Sequence, residues 1–211
     1  MIPTEEAMYR ALEERHGKEL QKRFASASVA VCGLGGLGSH IAFALARAGI
    51  GRLILIDFDK VEITNLNRQQ YKADQIGLDK TEALKRNLKE IAPYVQTETF
   101  CEKLTEKNIP ELLKEADIVC EAFDDPESKA LLTDTVLSLM KEKYLVAASG
   151  MAGLESGNII CTRKITDHFY LCGDGVSEVT DGMGLVSARV MLCAAHQAHM
   201  VLRILAGRYD A

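Results

Sequence analysis

The chain has no C-x-x-C pair, no long uninterrupted apolar run and no excess of basic residues. Each absence removes a class of function. Its six cysteines (Cys32, Cys101, Cys120, Cys161, Cys172 and Cys193) are scattered, which argues against a disulfide framework and a sulfur-ligated zinc site. They read as small buried hydrophobes in a reducing compartment. The apolar stretches, broken by charge or glycine, are too short to span a membrane. The opening MIPTEEAMYRALEERHG is polar and acidic, unlike the basic-then-apolar order of a signal peptide, so a cytoplasmic location is expected. A net charge of -5 offers no footprint for nucleic acid or an anionic membrane. Repeats, low-complexity tracts and linkers are also missing. The 211 residues, 47% hydrophobic, are therefore expected to form one domain around one core.

What is present is a βαβ rhythm. Residues 4–24 read as a charged helix with Leu12, Leu20 and Phe24 on a partial apolar face. Ser28–Cys32 is a β-branched run stopping at glycine, Ser39–Ala48 is strongly helical, and Leu53–Ile56 is a second buried strand. Strand, turn, helix and strand in about thirty residues make one βαβ unit with a right-handed crossover. Further on, helices are expected at Lys80–Ile91 (stopped by Pro93) and Ser128–Lys141, and strands at Val95–Phe100, Asp117–Ala122 and Tyr144–Ala148. The pattern predicts an α/β fold, a Rossmann-like, doubly wound, mostly parallel sheet with helices on both faces. After Gly157, Asn158–Thr162 and His168–Leu171 suggest a short antiparallel extension, and a long helix near Leu185–Leu205 ends the chain.

Gly33, Gly35 and Gly38 in GLGGLG satisfy G-x-G-x-x-G between a strand and a helix. The first glycine permits the tight turn, the second lets a phosphate approach the backbone, and the third lets helix pack on strand. Gly36 lies in the same turn, and the helix N-terminus turns free N–H groups toward an anion. Asp57, closing the second strand, stands where an acid accepts a bond from ribose.

A dehydrogenase needs little beyond Asp57 here, yet the chain continues DKVEITNLNRQ. Arg68 offers a planar fork to brace a phosphate charge as it develops. Asn65 suits a phosphate oxygen or the support of Arg68, with Gln69 beside them. Asp59 and Glu62 suit orienting the basic groups or sitting near a metal. Lys80, after GLD, opens a helix from which its ammonium can reach the same pocket. Asp124 and Asp125 follow DIVCEAF, at the strand edge where open α/β sheets bind ligands. Paired acids there can hold Mg²⁺ together with phosphate oxygens. Asp125 suits a cap before Pro126, and Asp124 suits the metal.

In that order, GLGGLG, DFDKVEITNLNRQ, GLDK and the acid pair after DIVCEAF resemble the ThiF/MoeB/HesA family, prokaryotic adenylyltransferases of the ubiquitin-activating type. The likeness covers roughly Val29–Gly150, with a weaker echo over Gly182–Gly207. It implies one adenylation domain over 1–211, made of an N-terminal helix (1–25), a nucleotide-binding core (28–150) and a carrier-binding and dimer-interface extension (151–211). It implies ATP and Mg²⁺ as ligands. The reaction it implies is attack by the C-terminal glycine carboxylate of a small β-grasp sulfur carrier, ending in Gly-Gly, on the α-phosphate, giving acyl-adenylate and pyrophosphate. Thiamine biosynthesis is the expected pathway, and a homodimer the expected assembly. By position, Asp57 resembles the family's ribose acid, Asn65 and Arg68 its phosphate contacts, Lys80 its transition-state lysine and Asp124 its magnesium-linked aspartate. A carboxylate nucleophile is already ionised at neutral pH, so positioning and charge neutralisation carry the rate.

Three departures matter. The family's zinc-binding cysteine pairs are missing, so no zinc is expected. The N-terminal arginine segment is replaced by MYRALEERHG, leaving Arg10 or Arg15 as substitutes in a partner's site. Cys172 lies in about the region of a sulfur-transfer cysteine, but its flanks differ and it reads as a buried structural residue. His196 and His199, with no third ligand apparent, read as core or surface histidines, and Ala194, Ala195 and Ala198 around them suggest close helix packing. Two other readings stand beside adenylation: an NAD-dependent oxidoreductase, which gives Arg68 and Lys80 no role, and a nucleotide-binding scaffold that recruits a carrier. Family members acting on transfer RNA share the ATP chemistry, and the acidic charge counts against them.

Overall fold

Alternate residues of each central strand enter opposite cores, so the sheet must be covered on both faces. In the computed structural model, which describes residues 2–180 and 183–211, β1 (Ser28–Cys32) sends Val29 and Val31 to one face and Ala30 and Cys32 to the other. Similarly, β2 (Arg52–Ile56) divides Leu53 and Leu55 from Ile54 and Ile56. One face is covered by α2 (Lys18–Ser26), α3 (Gly36–Ala48), α4 (Lys80–Ile91) and α7 (Ser187–Leu205). The other is covered by a short α5 (Ile109–Leu112) and by α6 (Pro126–Leu139). Ile41 and Leu45 of α3 are fully buried, each worth about 1.5–3 kcal/mol.

The strands run in the order β3-β2-β1-β4-β5-β7-β6, where β3 is Gln96–Phe100, β4 Ile118–Glu121, β5 Tyr144–Ala148, β6 Cys161–Lys164 and β7 Phe169–Gly173. All neighbours pair in parallel except β6 with β7. Chain direction across the sheet reverses between β1 and β4, the switch point where a ligand crevice opens. The expected doubly wound sheet with an antiparallel extension is the observed one.

Several boundaries differ. The single helix expected over 4–24 is two, α1 (Glu5–His16) and α2, because Gly17 adopts φ +91° and breaks the turn. Helix α3 begins at Gly36, inside the glycine motif itself. Helix α6 runs Pro126–Leu139 rather than Ser128–Lys141, since Asp125 caps it and proline suits a first turn. Residues Gly157–Ile159 form a 3-10 turn, so the strand expected at 158–162 starts at Cys161. Helix α5, too short to show a period, went unread in the sequence. Of the family echo over Gly182–Gly207, Gly182 lies outside the described residues.

Candidate nucleotide site

The glycine turn is built by close approach. Gly33 takes φ +89° and donates its N–H to Ile56 O at 2.8 Å. A side chain at Gly38 would collide with the Gly33 carbonyl oxygen, and one at Gly33 would press on Ala122 O at 2.8 Å. Leu34 is pinned from both sides: its N–H donates to Asp57 Oδ2 at 2.6 Å and its carbonyl accepts from Tyr71 Oη at 2.7 Å. The first turn of α3 is left with N–H groups that have no intrahelical partner, aimed into the crevice.

Asp57 is buried and braces this turn, accepting also from Asp59 N at 2.8 Å. Burial pushes its carboxyl above the ordinary aspartate range, while Lys80 and the two N–H groups pull it back. Each oxygen keeps a further lone pair, so a ribose hydroxyl can still bond it. The Lys80 ammonium, from the first residue of α4, does reach the same pocket. It lies 2.7 Å from Asp59 Oδ2 and 3.8 Å from Asp57 Oδ2, with its side chain 8% exposed. Asp59 is therefore the residue that orients the cation.

Between them runs DKVEITNLNRQQ. Glu62 and Asn65 form a reciprocal capping box around the 3-10 turn Ile63–Asn65, with Glu62 N donating to Asn65 Oδ1 at 3.0 Å. The Asn65 carbonyl oxygen is thus committed to the turn, and its amide hydrogens stay available to donate to a phosphate oxygen. Arg68 lies along Gly36, with Nη1 donating to Thr64 O at 3.2 Å and Asn67 Oδ1 at 2.9 Å. Its Nε is buried and has no partner, as is Gln69 Oε1. An orphaned guanidinium donor beside an open helix N-terminus fits an incoming anion, so these residues suit a nucleotide's phosphates.

At the end of β4, Asp125 Oδ2 accepts from Ser128 N at 2.8 Å and Ser128 Oγ at 2.7 Å. It is the cap of α6, and these hydrogen bonds hold its carboxyl below the usual range. The cap role expected for Asp125 is the one observed, and it commits Oδ2 to the helix start while the residue lines the cavity. Asp124 is exposed at the pocket wall. Among the described residues no group of three His, Cys, Asp or Glu side chains could hold a metal. A lone Asp124 still fits Mg²⁺ arriving with phosphate oxygens and water.

Gly33, Gly35, Gly36, Asp57, Asp59, Asn65, Arg68, Gln69, Lys80, Asp124 and Asp125 all line one cavity of about 700 Å³, a ligand-sized volume. Gly38 lies beneath it, holding helix to strand. Sequence reasoning missed Lys129 on α6, whose Nζ bonds both oxygens of buried Glu121 at 3.0 and 2.8 Å and Phe123 O at 3.1 Å. The Asp125-Pro126 helix start was the available signal, since it folds the first turns of α6 back over the strand end. Also unforeseen were Lys103 and an apolar wall of Met151, Ala152, Leu185 and Val190.

Other expectations meet the structure as follows. Leu12 of α1 packs at Gly49, the C-cap of α3. Helix α3 is about 20 Å long, so Arg10 and Arg15 lie at the end of their own chain opposite the glycine turn, and Arg10 pairs with Glu6. Cys172 is fully buried and its thiol is pushed up to about 11 by burial, an inert environment. His196 bonds Thr162 Oγ1 at 3.0 Å. No helix among the described residues is long and apolar enough to cross a membrane.

The loop carrying Ser177 and Val179 to the cavity is anchored by Asp174, which accepts from Val176 N and Ser177 N at 2.8 Å, from Ser177 Oγ and from Arg189 of α7. Burial opposes this charge, but the hydrogen bonds outweigh it and hold the carboxyl well below the usual range. Asp174→Asn strands a buried guanidinium and is expected to cost about 3 kcal/mol at neutral pH. The folded pKa is depressed, so the wild-type advantage exists above the unfolded value of about 3.9 and shrinks as pH falls below it. Urea unfolding of both proteins from pH 7 to pH 3 checks the sign.

Comparison with known proteins gives a consistent picture. Residues 9–210 match the ThiF family. An adenylyltransferase and sulfurtransferase UBA4 from Lodderomyces elongisporus is 31% identical over 197 residues, covering 90% of this chain and 42% of that protein. A sulfur carrier protein adenylyltransferase from Thermus thermophilus is 36% identical over 126 residues, covering 59% of this chain and 46% of its own. The chain spans less than half the length of these curated relatives. Among solved structures, Escherichia coli tRNA N6-threonylcarbamoyladenosine dehydratase with AMP superposes with TM-score 0.86 at 22% identity, covering 98% of both chains. Escherichia coli MccB with AMPCPP and MccA gives 0.68 at 23%, covering 90% of this chain and 59% of that one. At those identities the likeness is one of fold.

Proposed function

Because this chain belongs to the ThiF family, we propose that it is an ATP-dependent adenylyltransferase acting on the C-terminal carboxylate of a small β-grasp sulfur carrier ending in Gly-Gly. One observation carries the reading: Lys80 and Arg68, from different elements, share a cavity with an open helix N-terminus. The nicotinamide reading assigns no chemical step to Arg68 or Lys80, whereas adenylation uses both.

The glycine turn and the N–H groups of α3 hold the nucleotide phosphates, and Asp57 takes the ribose. The orphaned Nε of Arg68 donates to a phosphate oxygen. Lys80 swings from Asp59 toward the α-phosphate as charge builds there. One carboxylate oxygen of the carrier attacks that phosphorus, the bond to the bridging oxygen breaks, and pyrophosphate departs. No proton moves, since the nucleophile is already an anion. Magnesium, held by Asp124 with the departing phosphates, would neutralise their charge.

The finer parts of the proposal are the thiamine carrier as substrate, a homodimer as the working assembly, residues 151–211 as the carrier-binding face, and a cytoplasmic setting in which all six cysteines stay free. The test is ATP–pyrophosphate exchange with Mg²⁺ and purified thiamine-type and molybdopterin-type carriers. Exchange that depends on a Gly-Gly terminus supports adenylation, and the faster carrier names the pathway. Hydride transfer with NAD, or ATP turnover stimulated by transfer RNA and not by carrier, overturns it.

A further inference from the structure

The turn bearing Arg68 is gripped from behind by the start of α3, and the grip uses two residues that do not line the cavity. Ser39 Oγ donates to Gly35 O at 2.7 Å and accepts from Gln70 N at 3.1 Å. The next residue, His40, half-buried, places Nε2 3.2 Å from the Arg68 carbonyl oxygen and Nδ1 2.9 Å from Gln70 Nε2. Asn87 of α4 completes the cluster by donating to Gln70 O at 2.8 Å. Arg68 therefore hangs from a polar frame joining α3, α4 and the capped turn, and His40 is its only ring.

Partner chemistry assigns the tautomer. A carbonyl oxygen only accepts, so Nε2 carries the proton; Nδ1 is then the acceptor for the Gln70 amide. A cationic ring would set Nδ1–H against that amide's own hydrogens. Burial, which pushes the His40 ring below its ordinary value, favours the same neutral form.

We propose that His40 is a positioning residue for Arg68: the neutral imidazole, bonded to the Arg68 carbonyl and to Gln70, sets the turn from which the guanidinium meets the phosphates. Its kinetic consequence rests on the adenylation reading; its geometric content does not. His40 does not line the cavity, so its loss should act through Arg68 and weaken ATP binding and the chemical step together, as Arg68→Ala does.

Two measurements separate the claims. In ATP–pyrophosphate exchange with Mg-ATP and the thiamine-type carrier, His40→Ala is expected to lower kcat/KM for ATP about tenfold, divided between kcat and KM as for Arg68→Ala. His40→Gln, whose amide can both donate and accept, should recover to within about threefold of wild type. Wild-type rates in His40→Ala, or an equal loss in His40→Gln, overturn the proposal. Independently, long-range ¹H–¹⁵N correlation on the wild-type protein at pH 7 should show His40 neutral with the proton on Nε2. A cationic ring or the Nδ1–H tautomer overturns it. If wild type shows no exchange, the adenylation reading falls and the Arg68 amide resonance decides His40: a shift in His40→Ala with little in His40→Gln supports the grip, and no shift refutes it.

Discussion

Lys80→Ala is expected to lower carrier-dependent ATP–pyrophosphate exchange by about 10²–10³-fold, or about 3–4 kcal/mol of transition-state stabilisation. The ammonium is pre-placed rather than recruited: it is nearly enclosed, 2.7 Å from Asp59, with Asp57 at 3.8 Å. Holding a cation between two carboxylates leaves it free to trade one anion for another without crossing water. Its pull strengthens only when charge accumulates on the attacked phosphate, so ground-state ATP affinity should fall far less than the rate. Equal losses in rate and affinity would reduce Lys80 to a binding residue. Removing it also leaves Asp57 and Asp59 facing each other, so thermal stability should be measured alongside. Asp59→Asn supplies the control, since it frees the ammonium without deleting it and should retain most of the rate. A rate as low as that of Lys80→Ala would show that Asp59 acts for itself.

Arg68→Ala should cost about 10²-fold in the same exchange, with a larger share appearing as weaker ATP binding. Without nucleotide the guanidinium already spends Nη1 on Thr64 O and Asn67 Oδ1, while Nε is buried and unpaired. Leaving such a donor unsatisfied costs about 1–3 kcal/mol, and a phosphate oxygen removes that cost in both ground and transition states. The effect should therefore divide between KM and kcat, unlike that of Lys80. Arg68→Lys restores charge without the planar fork and should recover less than half of the loss in free energy. Calorimetric titration with Mg-ATP together with exchange kinetics measures both shares. An Arg68→Ala protein that bound ATP and exchanged pyrophosphate as the wild type does would dismiss the guanidinium from the site.

Much of the frame was legible because it depends on short-range patterns. Helix α4 and strands β1 and β5 fall where periodicity and breakers put them, since Pro93, Gly33 and Gly150 act on the backbone within a few residues. The glycine turn was equally readable: its spacing is a local steric requirement, now visible as the collision any Cβ at Gly38 would suffer. Helix ends were less legible. Gly17 breaks a charged segment whose side chains carry a continuous pattern, and Asp125 with Pro126 starts α6 earlier than its apolar residues do.

Residue types alone determined a strand-to-helix turn suited to an anion with cations nearby, because the turn's geometry and the side chains' charges are intrinsic to the residues. Tertiary packing decided the rest. It placed Lys80 between two acids, assigned Asn65 and Asp125 to capping, brought Lys129 to Glu121, and set His40 behind Arg68. The physical reason is that a side chain's lone pairs and hydrogens are finite. Which of them remain for a ligand depends on neighbours that lie far away along the chain and meet only when the sheet closes.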